Sequence, residues 1–94
     1  MLVQTACEAL RSGHVLELQY DGSSKMVEVH AVGFTADDVP VAHVWELGPE
    51  GVAGWKMLPL KEATGALITH RQSLAPRPGY EPGDRDMNVI TCQL

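Results

Sequence analysis

The chain has 94 residues, of which 45% are hydrophobic; its 12 acidic and 7 basic side chains leave a net charge of −5. That length fits one domain with a modest core, and the apolar share excludes wholesale disorder. The acidic balance argues against strong nonspecific binding to nucleic-acid phosphates, which needs clustered Lys and Arg.

Leu2, Val3, Ala6 and Leu10 recur at helical spacing, and Gly13 is a natural stop, so a short amphipathic helix is expected over residues 2–12. Residues 14–60 then read as short alternating strands joined by tight turns. Period-2 alternation means one face of a sheet is buried and the other wet. With a turn over Asp21 to Ser24, Leu18 faces Val27 and Leu16 faces Val29. Leu16, Leu18, Tyr20, Val27, Val29 and Ala31 then share the core face, while Glu17, Gln19, Met26, Glu28 and His30 take the other. This register sets Glu17 against Glu28, a mildly unfavourable pair.

A turn centred on Ala36 and Asp37 leads to a third strand, residues 39–47, with His43 facing His30, Val44 facing Val29 and Trp45 facing Glu28. Gly48 to Gly51 reads as a turn and Trp55 to Leu58 as a fourth strand. A single helical turn is expected over Leu60 to Ala63 and a fifth strand over Gly65 to Thr69. Residues 74–84 are rich in Pro and Gly and read as an extended arm, after which Met87 to Leu94 returns to strand-like composition. The expected fold is mainly β: a small antiparallel SH3- or Sm-like barrel with a short N-terminal helix and a C-terminal arm. Residues 1–70 form the helix and barrel, and residues 71–94 the arm and last strand, packed on the same chain or exchanged with a partner.

Cys7 and Cys92 stand near opposite ends, without CxxC or metal-ligand spacing, whereas a stapled secreted domain usually carries more cysteines. Both read as reduced thiols. No leader-like opening and no apolar run of spanning length is apparent, so a cytoplasmic protein without membrane contact is expected.

The segments "LELQYDGSSKMVEVHAVGF", "VPVAHVWELG" and "WKMLPLKEA" follow the short helix in an order that resembles WYL domains, bacterial modules with an Sm-like or SH3-like barrel. Tyr20 and Gly22 match that family's Tyr-x-Gly, Lys25 stands where an Arg is usual, Gly33 matches the Gly after the second strand, and Leu58 and Leu60 match later apolar positions. The resemblance covers about residues 4–68. Lys61 and Glu62 replace the family's Asp and Arg, and Val44-Trp45-Glu46-Leu47 lacks the Tyr of the name-giving block. The resemblance implies the barrel and a regulatory module that senses a ligand, in the family often nucleic acid or a nucleotide, here alone or beside a separately encoded partner. With the late Arg missing, nucleic acid is the less favoured ligand and a nucleotide or other small anion the expected one.

Among the residues themselves, His30 and His43 are the sharpest local signal, with Glu28 close by. Two imidazoles and a carboxylate suit a metal or a proton-sensitive pair, while two unrelated solvent-facing histidines are the plainer alternative. Trp45 on the same face offers a stacking surface for a planar ligand, or a contact for protein. Lys25, after the Tyr-x-Gly turn, is the preferred anion contact among dispersed basic residues. The ligand-binding candidates are therefore Lys25, His30, His43 and Trp45, with no catalytic residue, resident metal or cofactor assigned. No nucleophile elbow and no phosphate-cradling Gly-rich loop is present, so a non-enzymatic module is expected. The alternative is a structural or protein-interaction subunit, a homo-oligomer joined through the C-terminal arm, in which Arg77-Pro78-Gly79-Tyr80 docks on a neighbouring chain.

Overall fold

A computed structural model of the chain describes residues 2–47, 53–83 and 87–94. Helix α1 (Leu2–Ser12) buries Val3, Ala6, Cys7, Ala9 and Leu10 along one stripe. Gly13 ends it in the left-handed region (φ +72°), donating its N–H to the Ala9 carbonyl at 3.0 Å. Six strands follow: β1 (His14–Tyr20), β2 (Ser23–Phe34), β3 (Pro40–Glu46), β4 (Gly54–Pro59), β5 (Gly65–Gln72) and β6 (Val89–Gln93), with a 3-10 turn at Leu60–Glu62 between β4 and β5. All ladders are antiparallel, in the order β4-β3-β2-β1-β5, with β6 added to β2.

The fold is thus mainly β with one short N-terminal helix, as the alternation predicts. A small antiparallel sheet of this kind is consistent with an SH3-like barrel, although no ladder joins β4 to β5 among the described residues. The turn expected at Gly48 to Gly51 lies outside the described residues.

The main core lies between α1 and one face of the sheet, where Leu16, Leu18, Val27, Val29, Val32, Ala42, Val44, Leu58 and Leu60 meet the helix stripe. Two registers differ from expectation, each for a local reason. The first hairpin turns on Asp21-Gly22 alone, with Gly22 in the left-handed region (φ +78°) and Tyr20 opposite Ser23. Leu16 therefore faces Val27 and Leu18 faces Lys25. A shift of two residues keeps every side chain on its expected face, and it also sets Glu17 against Met26 and so removes the Glu17–Glu28 clash.

In the second hairpin, Asp38 adopts the left-handed conformation (φ +62°) and adds a residue to the loop. A β-bulge between Val29 and Ala31 takes that residue out again. Beyond the bulge the expected pairs hold, with Val29 opposite Val44 and Glu28 opposite Trp45. Between bulge and turn they slip by one, so His43 faces Ala31 rather than His30. Ala31 consequently leaves the main core for a second cluster with Val41 and Met87.

The C-terminal strand pairs within its own chain, setting Ala31, Val32, Gly33 and Phe34 of β2 against Gln93, Cys92, Ile90 and Val89. Cys7 and Cys92 are joined in a disulfide, which corrects the reading of both as reduced thiols. They are 85 residues apart in sequence but share the α1–β6 contact that the topology creates. On the chain-entropy argument such a closure restrains the unfolded state by about 4–5 kcal/mol.

Gly33 is where β6 comes closest to β2. A Cβ there would press on the Val89 carbonyl oxygen and lie 2.9 Å from the Met87 sulfur. Gly33→Ala should lower the unfolding free energy by about 2–3 kcal/mol through overpacking against backbone. Gly22→Ala, with open space around it but a positive φ, should cost only about 1 kcal/mol. Urea denaturation of the two variants checks this ranking.

Candidate functional site

The face of β2, β3 and β4 turned away from α1 carries Glu28, His30, His43, Trp45, Trp55 and Met57. Alternation predicts a wet surface here, yet Glu28 is 1% and His30 0% exposed. The arm that follows β5 covers both, with its segment Leu74 to Tyr80 lying on the chain's own sheet.

Glu28 organises that cover. Its carboxylate accepts the Arg77 Nε–H at 2.6 Å and an Arg77 Nη–H at 3.2 Å, a two-pronged fork, and the Leu74 backbone N–H at 2.7 Å. Burial alone would push this carboxyl up, but the Arg77 hydrogen bonds, the Leu74 N–H and the Arg77 charge outweigh it and hold the group below its ordinary 4.5. The same fork raises the Arg77 guanidinium above its usual value.

His30 is committed at both ring nitrogens. Nδ1 lies 3.0 Å from the Glu28 carbonyl, which can only accept, so Nδ1 carries the proton. Nε2 accepts the Arg77 backbone N–H at 3.0 Å, so it carries none. Burial pushes His30 below its ordinary 6.5, and the charges of His43 and Arg77 act in the same direction against the pull of Glu28. The ring is a neutral strut under the arm. This corrects its expected place as a solvent-facing ligand contact paired with His43. The metal reading loses its geometry with it: among the described residues no group of three or more His, Cys, Asp or Glu is placed to hold an ion.

An aromatic cluster lies above this strut. Trp45 and Trp55 are directly opposed across β3 and β4 and meet edge to face, with centroids 5.4 Å apart. Trp55 also contacts His30 at 4.7 Å and His43 at 4.9 Å, and stacks with Tyr80 at 6.3 Å. The Arg77 guanidinium lies over the Trp45 ring, 5.5 Å from its centroid. Trp45, Trp55, Tyr80, His43 and Arg77 are each partly exposed, so the cluster is a surface rather than a sealed core.

Lys25 is not part of it. The register puts Lys25 on the face of Leu18 and Val27, opposite to Trp45 and Glu28. Its Nζ lies 3.6 Å from Glu46, itself only 7% exposed. Tyr20 and Glu62 share that corner: burial, then the charges of Glu62 and Glu46, push the Tyr20 phenol up, and its hydroxyl donates to the Pro59 carbonyl at 3.3 Å. With two carboxylates near one ammonium, the corner is poorly suited to an anion.

The structure therefore gathers His30, His43 and Trp45 and separates Lys25 from them. It adds Trp55, Arg77 and Tyr80, which pattern reading left out of the site. The signal for Trp55 was its position opposite Trp45 in the third hairpin. For Arg77 and Tyr80 it was a cation and an aromatic held in a stiff Pro-Gly segment that follows a strand pattern with an acidic residue to satisfy. Comparison with protein-family models, curated proteins and solved structures finds no match in any of the three.

Arg77→Ala should destabilise the fold by about 3 kcal/mol, because it strands the buried Glu28 charge, whereas Glu28→Gln, which keeps a partner for the Leu74 N–H, should cost less. Denaturant melts at neutral pH compare the two. Acid should act in two stages. Between 6.5 and the lower folded value of His30, the unfolded chain takes up the proton first, so stability falls as pH falls through that window. A second loss sets in below 4.5, as pH falls through the depressed value of Glu28. His30→Gln should remove the first stage and leave the second in the melting temperature plotted against pH.

Proposed function

We propose that the chain is a non-enzymatic ligand-binding regulatory module of WYL-like type, acting in the cytoplasm, and that the aromatic face is where it binds. The ligand class is a planar group bearing negative charge, with a nucleotide as the leading example. The supporting observation is the row Trp45, Trp55 and Tyr80, partly exposed on one face and bordered by the Arg77 guanidinium. A partly exposed indole can stack on a flat π-system, and an adjacent guanidinium favours a ligand that also carries phosphate or carboxylate. The fork to Glu28 uses two of the guanidinium's five N–H donors, which leaves Arg77 anchored yet able to offer others. In this reading His43 borders the ligand, His30 supports the face from beneath, and Lys25 takes no part.

A second reading, a protein-interaction subunit or homo-oligomer, draws on the exposed apolar side chains Leu67, Leu74, Val89 and Leu94. They lie on β5, the arm, β6 and the residue that follows it, and Leu94 shares a pocket wall with Arg77 and Tyr80.

Titrating nucleoside monophosphates, nucleosides and inorganic phosphate against the intrinsic tryptophan emission separates the two. On the ligand reading, a nucleotide changes the emission and binds more tightly than either part, and Trp45→Ala weakens it about tenfold, the lower range of a single stacking contact. No response to any of the three, together with a light-scattering mass above that of one chain, would favour the interaction subunit.

A further inference from the structure

We propose that the Cys7–Cys92 disulfide is a thiol-exchange site clasping the C-terminal strand to α1, and that its reduction by a dithiol frees β6 from β2 while the rest of the sheet stays folded. This inference is independent of the ligand reading.

The two partners of the bond depend on it unequally. Helix α1 has its own hold on the sheet, through Val3, Ala6, Ala9 and Leu10 in the main core. Strand β6 has little of its own. Val89, Thr91 and Gln93 are exposed, Ile90 is half-buried, and Cys92 is the one buried side chain in the strand. Its ladder to β2 is short and interrupted by a bulge between Val32 and Gly33. Outside that ladder, the described fastenings at and next to β6 are Met87 and the half-buried Ile90 in the small second cluster, a hydrogen bond from the Gly83 N–H to Gln93 Oε1 at 3.0 Å, and backbone bonds from Asn88 N–H to Phe34 O at 2.7 Å and from Leu94 N–H to His30 O at 3.0 Å. Short edge strands with few buried apolar groups sit at the low end of local stability. The disulfide supplies the deepest attachment of this one.

The bond is buried, with Cys7 2% and Cys92 9% exposed, but a groove leads to it. Cys7 forms part of the wall of an open groove of about 410 Å³ between α1 and β6, lined by Val3, Gln4, Cys7, Glu8, Arg11 and Thr91. Arg11 stands one helical turn beyond Cys7, and a cation there favours both an approaching thiolate and the thiolate that leaves. In the exchange, one thiolate of the dithiol attacks a sulfur of the pair and the S–S bond breaks, forming a mixed disulfide. The second thiolate of the reagent then displaces the remaining protein sulfur. The dithiol is oxidised to its cyclic disulfide, and its two protons end on Cys7 and Cys92.

Hydrogen exchange on the intact chain, with and without dithiothreitol, tests the clasp. The untreated protein should show no reactive thiol and protected amides at Ile90 and Cys92. After reduction those amides, with Asn88 and Leu94, should exchange about tenfold faster or more, while amides of β1 and β3 hold their rates. The Cys7→Ser/Cys92→Ser double variant should reproduce the reduced pattern without reductant. Unchanged protection of β6 after complete reduction would overturn the proposal. So would loss of protection across the whole sheet in step, or two reactive thiols in the untreated protein.

Discussion

A buried carboxylate governs this structure. Glu28 lies in the middle of a strand, 1% exposed, where a charge without a partner is prohibitive. The fold therefore depends on a cation and an N–H arriving over β2, and residues 74–77 deliver both. Such a pair adds little net stability compared with an apolar substitute, because desolvation offsets most of the attraction. What it does is dictate where the arm goes. The arm must bring Arg77 to one point, and that placement also puts the Arg77 N–H on His30, the guanidinium over Trp45 and Tyr80 against Trp55. One electrostatic requirement thus assembles the face that the proposed function uses.

Polarity alone cannot distinguish a wet face from a covered one. The strand Met26 to Val32 alternates, and alternation correctly gives Val27 and Val29 to the core. It also gives Glu28 and His30 to solvent, because the segment that covers them lies more than forty residues away. Non-local cover of this kind leaves no periodic trace in the strand it protects. The bulge at His30 was illegible for a different reason. It compensates for the extra loop residue Asp38, and either irregularity alone would have reversed the facing of half a strand. The helix, the six strands and the turn after Pro59 were legible because each has its own hydrophobic period or its own Gly and Pro punctuation.

The same parity divides the candidate residues. Odd-numbered residues of β2 up to Val29 face α1, and even-numbered ones face the arm. Lys25 falls in the first set with Glu46, and Glu28 and His30 fall in the second. No change of side-chain rotamer brings Lys25 to Trp45, because the sheet lies between them. Among the residues carrying the resemblance to WYL domains, Tyr20 and Lys25 belong to the α1 side, near the carboxylates of Glu46 and Glu62. The arm side, with its indoles and guanidinium, is what remains for a flat anionic group.

The C-terminal segment is held by two chemically different attachments that the chain keeps apart. The Arg77 fork answers to pH, and the Cys7–Cys92 bond answers to thiols. They are separated in sequence by residues 78–91, which include Pro78, Gly79, Pro82 and Gly83. Loss of one need not undo the other, because each is tethered to the sheet through its own neighbours. Ser73 donates to the Gly13 carbonyl at 2.8 Å and fixes the start of the arm independently of β6. With the start fixed, Arg77 remains close to Glu28 after β6 departs, and high effective concentration keeps the fork closed. The aromatic face and the C-terminal strand are therefore separable units of one small domain. The first is set by a buried charge, and the second by a covalent bond to the helix.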